Sequence, residues 1–166
     1  MKLLVFSDVH RQRTKLEGIL KAHQDADMTI SLGDSELKSA FLQDNEIIAI
    51  KGNYPFDAGV TYEHIVTVKG KKLLLVHGHK HKVRKGIEKM FFDAKLKGID
   101  IALYGHTHVA KHDEVQGIHF INPGAVSKSR DGNPESYATL TFEDNGVHVT
   151  WHDAVNHEPI NKTTLT

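Results

Sequence analysis

Five short apolar runs in this chain each end on a residue able to ligate a metal ion, and that repeated ending constrains the fold more than any other feature. Asp8 and His10 follow Lys2–Ser7, Asp34 follows Asp27–Leu32, and Asn53 follows Glu46–Ile50. His77 follows Lys72–Val76, and His106 and His108 follow Ile99–Tyr104. Near-continuous apolar runs are the pattern of buried, parallel-type strands. Ligand sites in such sheets form outside the carboxyl ends of the strands. Four of the turns set a glycine beside the polar residue (Gly33, Gly52, Gly78 and Gly105), and glycine permits the tight backbone such turns need. Taken singly, Asp8 or Asp34 reads as a helix cap, Asn53 as a turn residue, and Gly105-His106 as a polar loop. Taken together, the five endings point to one site along one edge.

The rest of the chain supplies layers around these strands. Leu16, Ile19 and Leu20 fall at helical spacing and predict an amphipathic helix over Thr14–His23. A shorter helix is expected over Leu37–Leu42 and a longer one over Val83–Lys97. Hairpins are expected for Tyr62–Val68 with Lys72–Val76, and for Lys111–Val115 with Ile118–Ile121. Asn122-Pro123-Gly124 reads as a closing turn. Tyr137–Phe142 and Val147–Trp151 flank Asn145-Gly146, a strong hairpin signal. Two sheets face to face with helices outside would bury all these strands. There is no repeat or linker, so residues 1–153 are expected as one domain and 154–166 as a loosely held polar tail.

Composition narrows the chemistry. With no cysteine, any metal must sit on nitrogen and oxygen, which favours Mn, Fe, Zn, Co or Ni over Ca or Mg. The same absence fits a cytoplasmic protein. Lys plus Arg and Asp plus Glu are 21 each, which excludes a broad nucleic-acid surface. No apolar run approaches the ~20 residues that span a bilayer, and Met1–Phe6 is too short for a signal peptide. Histidine is the outlier at 13 of 166. Six of these, His10, His77, His79, His81, His106 and His108, lie at or just beyond strand ends. A catalytic zinc takes about three protein ligands. The larger set here suits two ions ~3.5–4 Å apart.

The motifs Asp8-x-His10, Gly33-Asp34, Gly52-Asn53, His77 and Gly105-His106-x-His108 resemble the signature of the calcineurin-like metallophosphoesterases. The short length and Asn122-Pro123-Gly124 resemble the family's small bacterial and archaeal phosphodiesterase branch. The resemblance implies an α/β (α+β) fold, a four-layer αββα sandwich of two mixed sheets flanked by helices. It implies two divalent ions, manganese first, with Zn, Fe, Ni or Co as alternatives. Asp8, His10 and His108 would hold one ion, Asn53, His77 and His106 the other, and Asp34 would bridge them. A water or hydroxide between the ions would attack the phosphorus of a small-molecule phosphate ester.

One departure stands out. Many members carry a histidine and an acid directly after the asparagine, where this chain has Tyr54 and Pro55. The small phosphodiesterase branch also lacks that histidine. The usual candidate general acid is therefore missing, so esters with good leaving groups are expected to be preferred. His79 is the substitute candidate and Tyr54 the second, with Asn53 and His79 expected to contact substrate. Lys80, Lys82, Arg84 and Lys85 form a basic run able to draw in phosphate. His77-Gly78-His79-Lys80-His81 is similar in part to a metallo-β-lactamase motif, but Lys82 and the lack of a following Asp-His exclude it. Competing readings are an interaction scaffold resembling a retromer subunit, and a phosphomonoesterase or protein phosphatase. Retention of all seven ligands favours an enzyme. Oligomeric state is left open.

Overall fold

A computed structural model describes all 166 residues. The first half runs β1 (Lys2–Phe6), α1 (Arg13–Ala22), β2 (Met28–Ser31), α2 (Ser39–Asp44), β3 (Ile47–Ala49), β4 (Glu63–Val68) and β5 (Lys71–Val76). A 3-10 turn at His79–His81 leads to α3 (Glu88–Lys97) and β6 (Ile101–Leu103). Then come β7 (Ala110–Val115), β8 (Ile118–Pro123), β9 (Ser136–Glu143), β10 (Gly146–Asp153) and β11 (Pro159–Leu165). One sheet has the order β11-β10-β9-β1-β2-β3 and the other β4-β5-β6-β8-β7. Parallel pairs (β1-β2-β3 and β5-β6-β8) form the part of each sheet that carries the ligand turns, and antiparallel strands complete it.

Alternation along the strands creates three apolar layers. Leu3, Val5, Ile30 and Leu32 meet Leu73, Leu75, Ile101 and Leu103 between the sheets. Leu4 and Phe6 turn the other way, onto Leu16 and Ile19 of α1 and Leu42 of α2. Leu74, Ala102 and Phe120 pack on Met90, Phe91 and Ala94 of α3. The expected αββα sandwich is therefore present. No helix is long and apolar enough to cross a membrane.

Three local expectations need correction. The long helix starts at Glu88, not Val83. Lys82 and Gly86 have φ of 56° and 143°, which no helix tolerates, and Val83 turns inward beside Gly78. Pro123 is a strand residue, because β8 runs through it in register with Ala110. Residues 154–166 are not a loose tail. Pro159–Leu165 form β11, paired with β10 from Val147↔Leu165 to His152↔Pro159, and Leu165 enters the inter-sheet core. Asp153 Oδ1 starts the turn by accepting from Val155 N at 2.7 Å and Asn156 N at 3.1 Å. An edge strand needs only one buried face, so its polar sequence hid it.

On the outer face of the six-stranded sheet, His23 donates to or accepts from the Tyr137 hydroxyl at 2.8 Å. His152 stacks on the Tyr137 ring at 5.1 Å, and His157 Nδ1 reaches the same hydroxyl at 3.3 Å. Burial pushes His23 down to about 4, aided by Lys2 and His152 and opposed by Asp25. Its unfolded value is near 6.5, so the unfolded state binds the extra proton between those limits. Stability contributed here is full above about pH 6.5 and lost as pH falls toward 4. His23→Gln is expected to flatten the acid side of a Tm-versus-pH profile; an unchanged slope would refute the assignment.

Candidate metal centre

The turns after β1, β2, β3, β5 and β6 meet at one edge of the sandwich, and their backbones are stitched together. Asp8 N donates to Gly33 O at 3.1 Å, His10 N to Asp34 O at 3.0 Å, and Gly105 N to His77 O at 3.0 Å. This stitching holds an uncommon conformation. Asp8, His10, Asp34, His106 and His108 all have positive φ, from 44° to 68°. Left-handed backbone in non-glycine residues costs energy and gathers at functional sites. Five of the seven candidate ligands adopt it.

All seven come together. Asp8 is fully buried. Its Oδ2 accepts from Ser7 Oγ at 2.6 Å and His106 N at 3.0 Å. Its Oδ1 has no hydrogen-bond partner, yet the Nε2 atoms of His108, His10 and His77 approach it at 3.1, 3.5 and 3.9 Å. Around His77 Nε2 lie Asn53 Oδ1 at 3.0 Å, His106 Nδ1 at 3.2 Å and Asp34 Oδ2 at 3.4 Å. Ligand atoms about 2.0–2.2 Å from one cation lie roughly 3–3.5 Å from each other. Most of these spacings match that pattern. The acid and imidazole groups form two overlapping triads, Asp8/His10/His108 and Asp8/Asp34/His77. An orphaned buried carboxylate oxygen facing lone-pair nitrogens is what a divalent cation would satisfy, so the residues present fit such an ion.

The imidazoles are aimed from behind. His10 Nδ1 bonds Glu36 Oε1 at 2.8 Å, and Arg11 Nε in turn donates to Glu36 Oε2 at 2.7 Å. His77 Nδ1 donates to Leu32 O and His108 Nδ1 to Lys128 O, each at 2.8 Å. Such outer partners fix the tautomer and leave Nε2 free for a metal. Burial pushes the Asp8 carboxyl up, but the neighbouring imidazoles of His10, His108 and His77 outweigh it and hold it well below the usual range. The Asp8 carboxylate raises His10 to about 9. Burial, reinforced by His77, lowers His106 to about 4. A cation would displace the protons that remain on ligand nitrogens.

His79 borders the cluster. Its ring is 5.5 Å from His77 and 6.1 Å from His106, and its buried Nδ1 has no partner. Burial, then His77, lowers its pKa. Tyr54 lies beside the site through its backbone, with N donating to Asp34 Oδ1 at 2.9 Å, while its ring turns to Phe56. His81 stays apart, paired with Asp93 at 3.1 Å.

Three supporting residues escaped the sequence reading. Glu36 orients His10. Asn122, fully buried, donates to Gly105 O and Thr107 Oγ1 at 3.0 Å each and so shapes the His106–His108 loop. Asp57 Oδ2 accepts from Asp34 N at 3.0 Å and Gly52 N at 2.6 Å, tying two ligand turns to one carboxylate. A faint signal existed, since an acid does follow Asn53, beyond Tyr54-Pro55-Phe56. Asp57→Ala leaves two buried N–H groups without acceptors. It is expected to weaken metal affinity about 10–100-fold, read by manganese titration calorimetry; unchanged affinity would remove the role.

Residues 1–145 match the model of the calcineurin-like phosphoesterase superfamily domain. A probable metallophosphoesterase of Bacillus subtilis, YsnB, is 32% identical over 95% of this chain and 94% of its own length. The phosphodiesterase YfcE of Escherichia coli K12 is 28% identical over 84% of this chain and 87% of its own. In structure, wild-type Vps29 of Entamoeba histolytica, crystallised with zinc, superposes over 100% of both chains with a TM-score of 0.81. At 20% identity, that likeness speaks for the fold alone.

Proposed function

The chain belongs to the calcineurin-like phosphoesterase superfamily, and from that premise we propose that it is a phosphodiesterase working with two divalent metal ions. The observation that carries the reading is a buried, partnerless Asp8 Oδ1 faced by the imidazoles of His108, His10 and His77, with Asn53, His106 and Asp34 gathered around His77 Nε2. Asp8, His10 and His108 would hold one ion and Asn53, His77 and His106 the other. Asp34 would bridge, although Asp8 is the residue common to both triads. Manganese is the working choice for such nitrogen–oxygen sites, with zinc next. Bound there, the ions would supply an activated water and neutralise charge on the phosphoryl oxygens.

The protein's own part is orientation. Glu36, Leu32 O and Lys128 O keep the imidazoles turned inward. Asn53 and His79 border the space where a phosphoryl group would sit. His79 is the candidate to assist the leaving oxygen. His79→Ala is expected to cut turnover of an alkyl leaving group about 10–100-fold and of p-nitrophenolate far less. Equal effects on both would remove that role.

The test of the whole reading is a panel of aryl and nucleotide diesters and monoesters, with manganese returned to metal-stripped protein. Metal-dependent turnover, greater on diesters, is the expected result. No turnover on any ester, together with no bound metal, would favour the interaction-scaffold reading.

A further inference from the structure

The loop between β3 and β4 carries large apolar side chains that the fold leaves uncovered. Phe56 is 84% exposed and Val60 89%. The loop is nevertheless tied down. Ile50 bridges Thr61 across its ends, and Lys51 N donates to Thr61 O at 2.8 Å. Asp57 pins its middle to Gly52 and Asp34. Gly59 lies so close to the backbone of Ile50 and Lys51 that a Cβ there would overlap it. Exposed apolar side chains held on a fixed loop mark a contact with something outside the fold.

The position says what kind of contact. The loop begins at Asn53, and Tyr54 N reaches the Asp34 carboxylate. The Tyr54 and Phe56 rings meet edge to face at 6.0 Å. At the far end, the Tyr62 ring is 5.7 Å from His79. Lys80 Nζ sits 3.5 Å over Tyr62, and Lys51 Nζ lies 5.7 Å from it. Lys80 covers one face of Tyr62, which is 41% exposed, whereas Phe56 is 84% exposed. An aromatic face with ammonium groups beside a phosphoryl site is the combination that recognises a base joined to a phosphate. An alkyl ester gains little from a flat exposed ring.

We propose that Phe56, backed by Tyr54, is a stacking platform for the base of a nucleoside phosphodiester, with the ammonium groups of Lys51 and Lys80 gathered at Tyr62 to draw in its phosphate. The proposal names the substrate class of the site and rests on the phosphodiesterase reading. Adenosine 5′-monophosphate and ribose 5-phosphate share sugar and phosphate and differ in the base, so their affinities for the manganese-loaded protein, measured by calorimetry, isolate the platform. The wild type is expected to bind the nucleotide about tenfold more tightly. Phe56→Ala should close that gap and Phe56→Trp should keep it. Equal affinities in the wild type, or a gap that survives Phe56→Ala, would overturn the proposal. So would a dimer seen by sedimentation that Phe56→Ala disperses without any base preference. Turnover of methyl p-nitrophenyl phosphate, followed in parallel, reports the phosphodiesterase reading separately: its absence with the base preference intact would sink that reading and leave the platform standing.

Discussion

Asp34→Asn is expected to lower turnover on the order of a thousandfold and to strip the protein of both metal ions. Asparagine keeps the shape of the side chain and an oxygen for the Tyr54 N–H, now 2.9 Å from Asp34 Oδ1. It removes the negative charge. Asp34 Oδ2 also lies 3.4 Å from His77 Nε2, so that imidazole loses its anionic neighbour as well. Elemental analysis should show metal content falling toward zero per chain, while thermal unfolding of the metal-free variant stays close to that of metal-free wild type. Retention of one ion would count against Asp34 as the bridge. It would transfer that place to Asp8, which both triads contain. Parallel loss in His108→Ala is expected to be confined to one ion.

Gly52→Ala should damage both the fold and the metal centre with a single methyl group. A Cβ at Gly52 would overlap the Asp34 carboxylate and lie 2.6 Å from Asp34 N and 2.7 Å from its Cγ. Neither can move freely, because Asp34 N is bonded to Asp57 and Asp34 Oδ1 to Tyr54 N. Overpacking of this kind costs about 3 kcal/mol, which lowers Tm by roughly 6–12 °C in a chain of this size. The Asp34 carboxylate would be displaced from its neighbours, so metal binding should fail even where the protein stays folded. A variant that melts near the wild-type temperature and binds metal normally would show that the two turns are not in contact as described.

Much of the site could be read from the sequence because its ligands stand where strands end. Gly33-Asp34 and Gly105-His106 each follow an apolar run directly, and Gly52-Asn53 follows one across Lys51. The layers could be read from period-two and helical patterns. The supporting groups could not. Asp57 reaches Asp34 N across 23 positions and Asn122 reaches Gly105 O across 17, and nothing local distinguishes them from turn residues. Glu36 serves His10 from 26 positions away. β11 was hidden because Asn161, Lys162, Thr163 and Thr164 are polar, although they complete a sheet. The start of α3 was misplaced because Val83 is apolar for its contact with Gly78, not for a helix face.

The position of β1 has a consequence for how the chain is made. β1 lies between β2 and β9, with Lys2 opposite Thr141 and Val5 opposite Ala138. β1 is therefore central in its sheet, yet one of its neighbours arrives more than 130 residues later. Until then its free edge stays unpaired, although all seven candidate ligands, the last of them His108, have already been made. Pairings of such long range slow folding and lengthen exposure to aggregation. A nascent chain stalled before residue 136 is thus expected to carry every candidate ligand on a sheet whose central strand still has an open edge.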